Sequence, residues 1–155
     1  MELDLHILTF YLSIEQFMNT MSEYKSGVCN IDAEEVEKRR YGSYVMFLIV
    51  AAFIGIIFYY PQSGTGFYTY TSLFGVSTAA FIMYLQSRNS FCTGLALRGK
   101  ENTSDNVEKV GKSEEVWKDR KKALLMLAQS ITLSVGLTGL VYLTVNYVGF
   151  LPILG

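Results

Sequence analysis

Charge is missing from most of this chain. Its thirteen basic and fourteen acidic residues all fall within residues 1–40 and 88–122. Between Tyr41 and Ser87, and again after Lys122, there is no Asp, Glu, Lys or Arg. A charge at the middle of a bilayer costs at least ~2.5 kcal/mol on the insertion scale, whereas a hydrated loop gains nothing by excluding charge so completely. The two neutral tracts are therefore expected to lie in lipid.

Other scarcities narrow the chemistry. The single histidine, His6, stands without clustered Cys or carboxylates, and zinc needs three or four ligands. The two cysteines, Cys29 and Cys92, form no C-x-x-C and no framework. Both fall on the same expected side of the membrane, so a disulfide is geometrically open, but two unrelated thiols is the simpler reading. Basic residues cluster only where they abut the neutral tracts, at Lys38, Arg39 and Arg40 and at Lys118, Arg120, Lys121 and Lys122, which gives nucleic-acid binding no support. There is no G-x-S-x-G, H-E-x-x-H or Walker A pattern. The neutral tracts hold no group that titrates near neutral pH, which argues against a proton relay, an ion-coupled carrier or a voltage sensor. Neither catalysis by this chain alone nor a cofactor is expected. Glu2 and Asp4 stand where a secretory signal would carry positive charge, so the first span itself is expected to direct insertion.

What remains is apolar sequence, and it divides into three spans. The first runs from about Ser43 to Tyr60, where VMFLIVAAFIGIIFYY ends at Pro61. Eighteen helical residues reach roughly 27 Å, enough for a thin bilayer core. The second runs from about Phe67 to Leu85, joined to the first by PQSGTG, whose Pro and glycines mark a tight turn. The third runs from about Ala123 to Val145, where Asn146, Gly149 and Pro152 break it before a short apolar tail. All thirteen basic residues then lie on one side, which the positive-inside rule makes cytoplasmic, or matrix-facing in an organelle. The N-terminus is inside and the C-terminus on the opposite face of a plasma, inner or organelle membrane. Aromatic residues agree: Tyr59, Tyr60, Phe67, Tyr68, Tyr70, Tyr142 and Tyr147 gather at the outer interface, and Tyr41, Tyr44, Tyr84 and Trp117 at the inner one.

Residues 2–22 carry a helical period. Leu3, Ile7, Phe10, Ile14, Phe17 and Met21 make one stripe, and Leu5, Leu8 and Leu12 a second on another face. A surface-seeking helix would present Lys or Arg on its polar face, but this one has Glu2, Asp4 and Glu15 and no base before Lys25. Docking on protein is favoured over lying in the lipid interface. Gly27 and Asn30 read as a break, and Asp32 followed by Glu35 fits a D-x-x-E helix start that could run into the first span. RNSFCTGLALRGKENTSDN reads as loop, followed by a helix beginning near Glu114 that continues into the third span.

The expected fold is thus all-α: a transmembrane helical hairpin plus one further span, preceded by a cytoplasmic amphipathic helix. Its parts are residues 1–40 (amphipathic and linker helices), 41–87 (hairpin), 88–122 (cytoplasmic loop and helix start) and 123–155 (third span and outer tail). Small-xxx-small pairs, Ala51 with Gly55 and Gly75 with Ala79, let helix backbones approach closely, and Ser130 and Ser134 line one face of the third span. These residues, with Leu3, Ile7, Phe10, Ile14 and Phe17, are the candidate packing and partner surfaces. Lys38, Arg39, Arg40, Trp117, Lys121 and Lys122 are the candidate lipid-headgroup anchors. The leading expectation is a non-catalytic accessory subunit of a larger membrane complex, with other membrane subunits and lipids as partners and homo-oligomerisation left open. One alternative is a small self-assembling pore lined by the second span and its Thr71 and Ser72. Another is an accessory subunit of a membrane oxidoreductase.

Overall fold

The computed structural model describes residues 24–59, 66–102 and 107–148, with side chains as far as Asn146. In chain order the elements are α1 (Ala33–Tyr59), α2 (Phe67–Arg88), α3 (Thr93–Arg98), β1 (Lys100–Asn102), β2 (Val107–Lys109) and α4 (Ser113–Leu143), which ends in a π-helical turn over Thr144–Val148. The expected helix over residues 2–22 lies outside the described residues. The chain divides into two compact units. Residues 1–38 and 86–124 form one, and residues 39–85 and 125–155 the other. This division follows charge: apart from Arg39 and Arg40, every charged residue belongs to the first unit.

In the second unit each helix buries one stripe. On α2 it is Tyr70, Leu73, Ser77 and Ala80, spaced by three and four residues; on α4 it is Met126, Ser130, Ser134, Leu137 and Val141. On α1 it is Ser43, Val50 and Ile57, with Met46, Phe47, Phe53 and Ile54 packed beside them. Val50, Ile57, Leu73, Ala80 and Val141 form the core. Phe47 lies edge-on to Phe81 (5.4 Å) and to Tyr84 (6.1 Å), and Tyr70 edge-on to Tyr142 (5.2 Å). Backbones close up at Gly42, where a Cβ would run into the terminal methyl of Met83.

Ala33–Tyr59 and Ser113–Asn146 are long and apolar enough to cross a membrane. Only 17% and 22% of their most apolar windows are buried within the protein, whereas the core helix of a water-soluble fold is mostly buried. The large side chains on their outer faces, Leu48 and Leu140 among them, are exposed. Together these helices point to a membrane location. The 22-residue α2 is of sufficient length, but Tyr68, Thr69, Tyr70, Thr71 and Ser72 make it less apolar than the other two.

The first unit is built around Ile31, Phe91, Ala96 and Val110, all buried. RNSFCTGLALRGKENTSDN, expected to be loop, contains α3 and β1, and β2 follows it in an antiparallel pair, with Lys100 opposite Lys109, Glu101 opposite Glu108 and Asn102 opposite Val107. The reason lies in what Gly99 does. Gly99 takes the left-handed conformation (φ 65°) that closes α3, and its N–H returns to the Ala96 carbonyl. The chain then turns straight into β1. Six helical residues and two three-residue strands are too short to show a hydrophobic period. At the start of α1, Asp32 Oδ1 accepts the Glu35 N–H at 2.7 Å, and Glu34 and Glu35 sit in the first turn, favourable to the helix dipole. The helix then runs unbroken through Lys38–Arg40, as the D-x-x-E pattern indicated.

Candidate functional site

Two regions of the molecule carry unusual chemistry, one in each unit. In the first unit, three side chains tie residues 24–32 to distant parts of the chain. Asp119, on α4 and fully buried, accepts the Tyr24 hydroxyl at 2.9 Å and the Gly27 N–H at 2.6 Å. Gly27 sits at φ 70° in the turn closed by Lys25 and Cys29, a conformation that favours glycine. Burial, then the hydrogen bond to Asp119, push the Tyr24 hydroxyl well above its ordinary pKa of 10.0, because a phenolate there would be both desolvated and beside a carboxylate. Lys122 donates to the Val28 carbonyl at 2.7 Å, and its ammonium lies 4.5 Å over the Phe91 ring. Burial lowers its pKa.

Asn30 is the third tie and the most complete. Its side-chain amide donates to the Cys92 carbonyl (3.0 Å) and accepts the Cys92 N–H (2.6 Å). Its backbone N–H goes to Ser90 O and its carbonyl accepts from Asn102. Four bonds at a fully buried residue leave it satisfied. Gln86 donates to Thr93 Oγ1 at 2.9 Å nearby. Cys29 and Cys92 are not joined in a disulfide, and the Cys29 thiol donates to the Ile31 carbonyl at 3.3 Å. Among the described residues, no three His, Cys, Asp or Glu side chains come together to hold a metal ion. Tyr24 and Asp119 did not stand out in the sequence, and Asn30 read only as a break. Asp119 is a lone acid inside WKDRKK, and that isolation among bases was the one available signal.

In the second unit, the sequence-derived packing residues separate by face. Ser130 and Ser134 are fully buried inside the unit. Ala51, Gly55 and Gly75 are exposed, and Ala79 is half-buried. A Cβ at Gly55 or Gly75 would meet nothing within 4 Å. Leu3, Ile7, Phe10, Ile14 and Phe17 lie outside the described residues. Of the candidate anchors, Lys38, Arg40, Trp117 and Lys121 are exposed, Arg39 is half-buried, and Lys122 is engaged as described above. Lys38 also pairs with Glu34 at 2.8 Å on the helix surface.

Hydroxyls along these helices mostly turn back on their own backbone. Thr71 bonds Phe67 O, Thr78 bonds Phe74 O, Thr132 bonds Ala128 O and Ser134 bonds Ser130 O, all at 2.8–2.9 Å. Three buried ones do not: the oxygens of Tyr70, Ser77 and Thr138 are closed to water and take no hydrogen-bond partner among the described residues. Two of these, Tyr70 and Thr138, line an open groove of about 510 Å³ between α2 and α4, walled also by Phe67, Thr71, Phe74 and Tyr142. A second groove of about 500 Å³, walled by Leu85, Leu125 and Leu133, has one hydroxyl, Thr132, which is already bonded to its own helix. Comparison of the chain with protein-family models, with curated proteins and with solved structures finds no match.

Proposed function

We propose that this chain is a non-catalytic structural subunit of a larger membrane complex. In this reading α1, α2 and the apolar part of α4 all span the bilayer, with residues 1–42 and 87–122 on the cytoplasmic or matrix side. The observation that carries it is the outward placement of Ala51, Gly55 and Gly75 on helices that keep most of their apolar surface free. In lipid no hydrophobic force drives helices together; association depends on close backbone approach and on interhelical hydrogen bonds. Small residues that served only this chain's own bundle would lie inside it, as Ser130 and Ser134 do. Small residues on the outside suit a neighbouring helix. Residues 2–22, with two apolar faces and acidic polar positions, suit a protein surface on the cytoplasmic side.

The pore reading is weaker, because a hydroxyl bonded to its own helix carbonyl, as Thr71 and Thr78 are, contributes less to a hydrated lining. The test is extraction in mild detergent. The subunit reading expects migration together with other chains, far above 17.5 kDa. Migration as a lone monomer overturns it. Flux through liposomes holding the purified protein, abolished by Thr71→Leu or Ser72→Leu, would establish the pore instead.

A further inference from the structure

We propose that the groove between α2 and α4 holds one acyl chain of an ester-linked membrane lipid, whose ester carbonyl accepts a hydrogen bond from Tyr70, with Thr138 as the second donor. The proposal rests on the membrane reading above. It begins from the contrast among the hydroxyls. Thr71, Thr78, Thr132 and Thr144 all satisfy themselves on the carbonyl four residues back. Thr138 does not, and neither it nor Tyr70 finds another partner among the described residues. A buried hydroxyl left without a partner is destabilising, because it has given up its bond to water. Two of them in the wall of a single groove call for an acceptor arriving from outside.

Depth decides which acceptor. The groove starts at Phe67, the first residue of α2, and reaches Phe74, a length of roughly 10 Å at the helical rise. One leaflet's hydrocarbon is roughly 15 Å deep. The groove therefore opens at the outer interface, among the tyrosines, and stops before the midplane. The carbonyls of glycerolipid esters lie at that level, with their chains directed inward. Phe67, Phe74 and Val135 offer the chain apolar walls, and the volume is within the range of small-ligand sites, roughly 300–1,000 Å³. Both oxygens are closed to water as they stand, so each hydroxyl must turn toward the groove to meet a bound acceptor. The groove walled by Leu85, Leu125 and Leu133 is of similar size, but its one hydroxyl is bonded to its own helix and its amide, Gln129, is exposed, so no buried donor there lacks a partner.

Gly139 makes the groove testable. It lines the space, and a Cβ built there meets nothing within 4 Å, so Gly139→Leu is the variant that narrows the groove. Gly136 on the same helix is equally open but outside the groove, so Gly136→Leu is the control. The full chain, stripped of lipid in detergent and titrated with diester phosphatidylcholine, is followed by native mass spectrometry, the neutral headgroup limiting attraction to Lys and Arg. One saturable adduct is expected in the wild type and in Gly136→Leu, and its loss in Gly139→Leu. Tyr70→Phe, and separately a diether phosphatidylcholine lacking the carbonyls, should each weaken binding roughly three-fold, with no further loss when combined.

An adduct indifferent to Gly139→Leu, or equal affinity for diether and diester lipid in the wild type, overturns the proposal. So does a homodimer or partner complex that Gly139→Leu dissociates while lipid binding stays unchanged, because the groove would then hold protein. If Gly139→Leu loses its helical circular dichroism, the Tyr70→Phe and diether measurements still decide. Alkaline carbonate washing separates the two readings. A protein that washes out of membranes takes the membrane reading with it, whereas a carbonate-resistant protein without the adduct removes the groove proposal alone.

Discussion

The Tyr24 hydroxyl donates to the carboxylate of Asp119 across 95 residues of sequence, and the same carboxylate accepts the Gly27 N–H. One side chain on α4 thereby holds both the entry and the turn of residues 24–29. Asp119→Ala would leave the Gly27 N–H and the Tyr24 hydroxyl without their shared acceptor. A loss of about 2–3 kcal/mol is expected, against about 1 kcal/mol for Tyr24→Phe, which removes donor and demand together. Hydrogen exchange of the amides in 24–32, measured in detergent, should accelerate more in the first variant than in the second.

The same contact sets an alkaline limit. The folded-state pKa of Tyr24 is raised, first by burial and then by Asp119, so the neutral phenol is the form the fold accepts. Its contribution is fully present below pH 10 and falls as pH climbs from there toward the raised value, because the unfolded chain ionises first. Thermal unfolding of the wild type between pH 9 and 11 should decline more steeply than that of Tyr24→Phe.

Asn30→Ala strips two partners from Cys92 at once. With a buried N–H and a buried carbonyl left unpaired, destabilisation of about 3 kcal/mol or more is expected. Asn30→Asp keeps one acceptor for the Cys92 N–H but opposes the Cys92 carbonyl with a carboxylate, so it should not rescue. Urea or thermal melts in detergent distinguish the three proteins.

Gly99→Ala is expected to be worse than Gly27→Ala, although both residues lie at positive φ. Each change carries about 1 kcal/mol of backbone strain. At Gly99 the new methyl also approaches Val116 Cγ1 at 3.3 Å, whereas at Gly27 the nearest atom is Lys118 Cβ at 3.7 Å. Gly111→Ala, with open space around it, should change stability by no more than about 0.5 kcal/mol.

The subunit reading makes its own demand on Gly55. Because the position is open within the chain, Gly55→Leu should leave the melting temperature of the isolated protein nearly unchanged. It should, however, dissociate the partner chains that co-migrate in mild detergent. An intact complex in Gly55→Leu would show that this face touches lipid alone.

How much of this was legible follows from range. Local signals were readable: the Asp32–Glu35 cap, the helix starting beside Glu114 and the neutral tracts all depend on residues within a few positions of one another. Asn30 and Asp119 were not, because their partners stand 62 and 92–95 residues away and polar pairing at that separation leaves no period. The spacing of Ala51 and Gly55 identifies a smooth face but not its direction, which the positions of the other helices decide. Gly42, where Met83 comes close, belonged to no small-residue pair and gave no warning. Gly94, Gly99 and Asn102 resembled loop because the elements around them are only three to six residues long, with Gly99 closing α3.

Asn30 has a consequence for how the protein is made. Its bonds reach residues 90–102, and the turn beside it waits for Asp119, so the long-range bonds of Tyr24, Gly27 and Asn30 cannot form until a further 60 to 95 residues have been translated. At 5–20 residues per second that interval is roughly 3–20 s, during which the hydrophobic hairpin is leaving the ribosome. The early segment must be sheltered or idle throughout, and a nascent chain arrested before Asp119 should expose it to protease while one arrested well beyond Lys122 should not.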